Sequence, residues 1–173
     1  KGLNDIPEPK KIEIIPYGLS SFNKQKNNFN YGLDLRYGLS SSAVINSTVN
    51  PDFGQVEADP SVLNLSAFET FYDEKRPFFS EGASFFQHKL NLFHSRRIGG
   101  APNYFLPDSG DLENLSDNTT IIGAFKLIGS TMSGWNYGMI NAITSEENAD
   151  LISSNNKMES LLVEPQTNYS VGR

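Results

Sequence analysis

Cysteine is absent from the 173-residue chain, which excludes a disulfide framework and any thiolate-ligated zinc. No stretch of 18 or more apolar residues occurs, so no segment reads as a membrane-spanning helix. Histidine is scarce: His88 and His94 lie six apart, whereas a helical zinc pair stands four apart, and both are read as structural. The glycines never assemble into a dinucleotide fingerprint or a phosphate loop, and no Gly-x-Ser-x-Gly elbow is present. Positive charge is also short, with 14 Lys and Arg against 20 Asp and Glu, a net charge of -6. Nucleic acid is therefore not an expected partner. Lys1-Gly-Leu-Asn-Asp5 leads into no apolar core and so is no signal peptide. If the protein is exported, the chain is expected to be an internal piece of something longer, and its last residues, Asn168 to Arg173, break off inside an alternating run.

What is present is alternation. From Phe29 through Tyr31, Leu33, Leu35, Tyr37 and Leu39, every odd position is apolar, and every even position is Asn, Gly, Asp, Arg or Ser. Successive strand side chains point to opposite faces, so one face of this segment is all Phe, Tyr and Leu. A soluble sandwich strand that wets its other face has this pattern. A barrel strand with lipid outside and a polar lumen inside has it too.

Further strands are expected around it. Residues 10–22 form a first strand carrying Ile12, Ile14 and Leu19, with Pro16 confining it to an edge or a bulge. Residues 43–49 form a third, closed by the turn chemistry of Asn50-Pro-Asp-Phe-Gly54. Strands resume over 119–129, apolar on both faces except at Lys126. In the next run Trp135, Tyr137, Met139 and Ile143 alternate, with Gly134 and Gly138 on the opposite face. Residues 148–157 read as a polar turn, followed by strands over 158–163 and 169–171. The expectation is a mainly β, antiparallel meander of six or seven strands, resembling part of an outer-membrane β-barrel, in a single domain spanning 1–173. Strands fill about 10–50 and 119–173, separated by a plug-like or periplasmic insertion over about 51–118.

The insertion differs in chemistry. It holds eleven acidic and five basic residues, while the rest of the chain carries nine of each, so the whole negative balance lies there. Ser66-x-x-Glu69 reads as a capping box opening a short helix with Phe68, Phe71 and Tyr72, and Pro77 is expected to stop any helix. A connection this long is usually functional. The acidic cluster contains Asp52, Glu57, Asp59, Glu69, Asp73, Glu74 and Glu81. Glu57, Asp59, Glu69 and Glu81 are the candidate acid and base for glycoside hydrolysis, which uses paired carboxyls. Oxygen-rich clusters also collect calcium, although no calcium-loop spacing is present, and no metal site or cofactor is assigned. The simpler reading is a polar surface neutralised by Arg76, Arg96 and Arg97, with at least one of them ion-paired to Glu57, Asp59, Glu69 or Glu81. Trp135 and Tyr137 are candidate ligand-binding residues, as sugar-stacking platforms, or girdle residues at a membrane rim.

Several blocks carry a resemblance: Gly32-Leu-Asp-Leu-Arg-Tyr-Gly-Leu39, Asn50-Pro-Asp-Phe-Gly-Gln-Val-Glu-Ala-Asp59, Leu65-Ser-Ala-Phe-Glu-Thr-Phe71 and Glu74-Lys-Arg-Pro-Phe-Phe79. Ser95-Arg-Arg-Ile-Gly99 and Glu164-Pro-Gln-Thr-Asn-Tyr-Ser-Val-Gly-Arg173 continue it. The chain resembles a family of Gram-negative cell-envelope proteins whose C-terminal domain has no established function. In that family the domain follows a family-9-like carbohydrate-binding module and is predicted to be an outer-membrane β-barrel. The resemblance implies a location, outer-membrane lipid as a partner, and transport or surface polysaccharide handling, with no catalytic residue to carry over. Two alternatives stand beside it: a soluble periplasmic carbohydrate-active hydrolase using the acidic cluster, and a carbohydrate-binding β-sandwich presenting Trp135 and Tyr137.

Overall fold

The computed structural model describes residues 11–22, 27–51, 73–90, 92–102, 111–152 and 158–173. Among these, the strands are β1 (Ile12–Phe22), β2 (Asn27–Ser40), β3 (Ala43–Val49), β4 (Asp111–Glu113), β5 (Ile121–Ser130), β6 (Asn136–Thr144), β7 (Glu147–Ile152), β8 (Met158–Glu164) and β9 (Thr167–Gly172). A four-residue helix, α1 (Pro77–Ser80), and single 3-10 turns over Ala83–Phe85 and Ser95–Arg97 complete the set. The chain is thus mainly β and antiparallel.

Six strands form the main sheet in the order β1-β2-β3-β5-β6-β9, and three form a second sheet, β4-β7-β8. β1 is an edge strand, where Pro16 removes no ladder donor that a neighbour needs. Rows of side chains run straight across the main sheet. One row aligns Ile12, Tyr37, Ile45, Leu127, Met139 and Gly172. The row beside it, on the opposite face, aligns Glu13, Arg36, Asn46, Lys126, Ile140 and Val171. The first row belongs to an outward face that also carries Ile14, Phe29, Tyr31, Leu33, Leu39, Val49 and Ile143, all exposed. The second belongs to an inward face covered by residues 73–102.

That covering segment builds the core. Phe79, Phe86 and Ile98 pack with Ile121, Ala124, Ile128, Ile140 and Ala142 of the sheet, ringed by Val44, Phe78, Phe85, Phe93, Tyr169 and Val171. Each large buried side chain contributes about 1.5–3 kcal/mol. Of the doubled aromatics at 78–79 and 85–86, Phe79 and Phe86 are buried and help anchor the segment on this scale.

Three sequence expectations change here. Residues 73–76, ahead of Pro77, are not helical, and Pro77 itself opens α1 at its first position, where a proline gives up only an N–H the helix would leave unpaired. Gly134 lies in the tight turn after β5 with φ +85°, not on a strand. The stretch read as a polar turn begins with strand β7, which pairs β8 and β4 outside the main sheet. The strand count rises from six or seven to nine among the described residues, because β4 and β7 carry few apolar positions. The capping box at Ser66 and its short helix lie outside the described residues.

Two glycines are fixed by tyrosines. Gly32 lies opposite Tyr17 and Gly129 opposite Tyr137, and a Cβ at either would run into the phenol ring. In a strand, Gly to Ala ordinarily stabilises. Gly129→Ala is expected to destabilise instead, by about 1–3 kcal/mol, and the sign should revert in a Tyr137→Ala background. Urea unfolding of the four members of this cycle is the check.

Candidate functional site

The inward face and the segment laid on it meet through two polar nodes. The first is built on Lys126, which β5 places in the middle of the transverse row and which is 0% exposed. Its ammonium donates to the carbonyl oxygens of Phe78 and of Glu81, the latter at 2.6 Å, and sits 4.9 Å from the centre of the Phe78 ring. Sheet backbone groups are committed to the ladder, so these acceptors come from the end of α1. On neighbouring strands, Arg36 Nη1 lies 2.7 Å from Glu81 Oε1, and Asn46 Nδ2 donates to Glu81 Oε2 at 3.2 Å. The Arg36–Glu81 pair is half-exposed and is worth at most about 1 kcal/mol. Its effect is to orient the Glu81 carboxylate across the row.

The second node is built on Arg76, 4% exposed. Its Nε and Nη2 grip Glu74 Oε1 and Oε2 at 2.8 and 2.7 Å. Its Nη1 donates to Ile98 O at 2.6 Å, and its Nη2 donates also to Ser95 O at 2.7 Å. The guanidinium lies 4.3 Å from the Phe79 ring centre. Ser95 Oγ donates to Glu74 Oε2 at 2.6 Å, and Arg96 donates from Nε and Nη2 to Asp73 O at 3.2 and 3.0 Å. Residues 73–76 are thereby stapled to 95–98. Burial by itself would raise the Glu74 carboxyl. The hydrogen bonds from Arg76 and Ser95, the Arg76 charge and the Arg76 backbone N–H outweigh it and hold the group below the ordinary value of 4.5.

Glu57, Asp59 and Glu69 lie outside the described residues. Glu81 is held by Arg36 and Asn46, in a cleft of about 150 Å³ that Glu13 and Asp34 also line. These two carboxyls went unnoticed as candidates because each is an ordinary polar residue on an alternating strand. Arg76 and Arg96 both approach Glu74, the latter at 4.0 Å, and Arg97 is exposed at the end of the 95–97 turn. Trp135 stands in the β5–β6 turn, 74% exposed, and Tyr137 lies on the outward face over Gly129. His88 is exposed and accepts from Leu90 N, while His94 precedes the 95–97 turn. Among the described residues no group of three metal-ligating side chains gathers. Lys126 was visible in the sequence as the one polar interruption of an apolar strand; its acceptors were not, since they are backbone atoms.

Two outcomes follow. Lys126→Met should strand the Phe78 and Glu81 carbonyls without a donor, lowering stability on the order of 2 kcal/mol or more and speeding amide exchange over residues 77–86; unchanged exchange there would remove Lys126 as the anchor. Because Glu74 binds its proton less readily in the folded state, its contribution is present above about pH 4.5 and fades as pH falls below it. The urea midpoint should therefore drop on acidification below 4.5, and drop less in Glu74→Gln.

No curated protein and no solved structure matches the chain. A family model matches residues 8–172, nearly its whole length. The chain belongs to the family described as Domain of unknown function (DUF5916).

Proposed function

We propose that the chain forms part of the wall of an outer-membrane β-barrel, with residues 73–102 laid against the lumen side as a plug. One observation carries this reading. Across the five adjacent strands β1, β2, β3, β5 and β6 the outward face is largely apolar and open, while the face bearing Glu13, Asp34, Arg36, Asn46 and Lys126 is turned to the covering segment. Soluble monomers rarely expose a contiguous apolar face of this extent. A barrel wall does so by construction.

Three further features support it. Tyr31 and Tyr37 lie six residues apart on the outward face of β2, about 20 Å along a strand, comparable with an apolar band of about 25 Å. Connections differ by end: two residues join β2 to β3 and five join β5 to β6 at one end, whereas at the other the long connections β3–β5 and β6–β9 stand beside a four-residue β1–β2 link. Barrels place short turns on the periplasmic side and longer loops outside, and the two long connections at one end support reading the segment as a lumen plug rather than a periplasmic mouth. Finally, the polar outward patch on β6 and β9 satisfies itself: Asn141 Nδ2 donates to Asn168 Oδ1 at 2.8 Å and to Ser170 Oγ at 2.7 Å. The family resemblance adds an N-terminal carbohydrate-binding module in the parent chain, and with it transport or surface polysaccharide handling as the activity such a barrel would serve.

The absence of cysteine makes the test clean for this chain. In the full-length protein in intact envelopes, Leu33→Cys, Leu35→Cys and Leu127→Cys should resist an aqueous maleimide, while Ser41→Cys in the short turn reacts once the periplasm is opened. The folded protein should also show heat-modifiable migration and fractionate with outer membrane. Equal labelling of the outward cysteines and Ser41→Cys, in a soluble periplasmic protein, would sink the barrel reading.

A further inference from the structure

At the short-turn end, the inward face and the covering segment leave a cavity of about 750 Å³. This falls within the range of small-molecule sites, about 300–1,000 Å³. Its apolar floor is Val44, Phe85 and Ile128, and its rim carries Arg36, Lys11 and the serines of the β2–β3 turn. None of the described residues lining it is acidic, although the chain as a whole carries a net charge of -6. The hydroxyls are gathered: Ser40 Oγ and Ser42 Oγ lie 3.4 Å apart, and Ser42 N donates to Ser40 Oγ at 3.2 Å.

We infer that this cavity is a binding site for a compact organic anion, a phosphate, sulfate or carboxylate on an aromatic or short apolar body. The reasoning is one of chemical division. Two cations and neighbouring hydroxyls on one side match an anionic head, and guanidinium is suited to bidentate capture of planar or tetrahedral oxyanions. Three apolar side chains on the other side suit a body of ring size rather than a long acyl chain. Arg36 is the shared element, since it lines this cavity and also the smaller cleft where Glu81 holds its Nη1. Glu81 therefore competes with any bound anion for the same guanidinium. The inference does not depend on whether the outward face meets lipid, because every group it uses lies on the inward side or at the turn.

The test uses the purified full-length protein and 4-methylumbelliferyl phosphate, a water-soluble aryl anion, with binding read by calorimetry. Saturable binding is expected, at least tenfold tighter than that of the neutral 4-methylumbelliferyl glucoside and of inorganic phosphate. Arg36→Gln and Lys11→Gln, both at exposed positions outside the core, should each weaken it at least fivefold. Glu81→Gln should tighten it severalfold by releasing Arg36, a sign that mere loss of structure would not produce. Equal affinity for the glucoside, equal affinity for inorganic phosphate, or indifference to Arg36→Gln in a protein that keeps its far-ultraviolet spectrum would each overturn the proposal.

Discussion

A primary amine with no exposed surface is the constraint on which the rest of this structure depends. Lys126 stands in the middle of a six-strand row, between Asn46 and Ile140. Leaving a buried ammonium without acceptors costs far more than any one contact returns. The sheet cannot supply them, because its carbonyls already belong to the ladder. They come instead from the last turn of α1 and the residue beyond it, a segment some 45 residues earlier in sequence. Satisfying Lys126 therefore fixes where residues 77–81 lie. That placement brings Glu81 over Arg36 and Asn46 and drops Phe79 into the core. The Arg76 node then closes the far side of the segment against Ile98 and Ser95.

The main sheet was readable from side-chain pattern because its strands obey a period of two. The apolar odd positions of β2 define the outward face, and the antiparallel pairing carries that face across every neighbour. β7 was not readable in the same way. It lies in a small sheet apart from the main one, and in Asn148-Ala-Asp-Leu151 only Ala149 and Leu151 are apolar, so nothing distinguishes it from a turn. The short helix that Pro77 opens was not readable for a different reason. A proline marks a break in helix without saying that a turn follows it, and the turn here forms where Phe78 and Phe79 dock.

The candidate site shows where such reading runs out. Lys126 stood out as an anomaly in its strand, but the groups it needs are carbonyls, which have no sequence signature. Arg36, Asp34 and Glu13 looked like the wet half of an alternating pattern, and the fold gathers them with Glu81 only because the segment carrying Glu81 crosses that row. Arg76 and Glu74 are two residues apart, yet their meaning as a staple comes from Ser95 and Ile98, about twenty residues on. Chemistry assembled by docking is invisible until the docking is known.

The distribution of apolar side chains also decides how firmly the segment is held. A segment held only by Arg36–Glu81 would be held by a half-exposed pair, and salt or a competing ligand would loosen it. This one buries Phe79, Phe86 and Ile98 against Ile121, Ile128 and Ile140, so release would expose two apolar surfaces at once. It would also strand Lys126. The strands β5 and β6 carry apolar residues on both faces: the inward ones meet the segment, and the outward ones Met139 and Ile143 stay exposed. The polar remainder of the inward face, on β1 and β2, is the part the segment does not fill with hydrocarbon. The β5–β6 side is thus the fixed bed on which the segment rests, while the β1–β2 side keeps its polar groups, Arg36 among them, facing the cleft where Glu81 meets them.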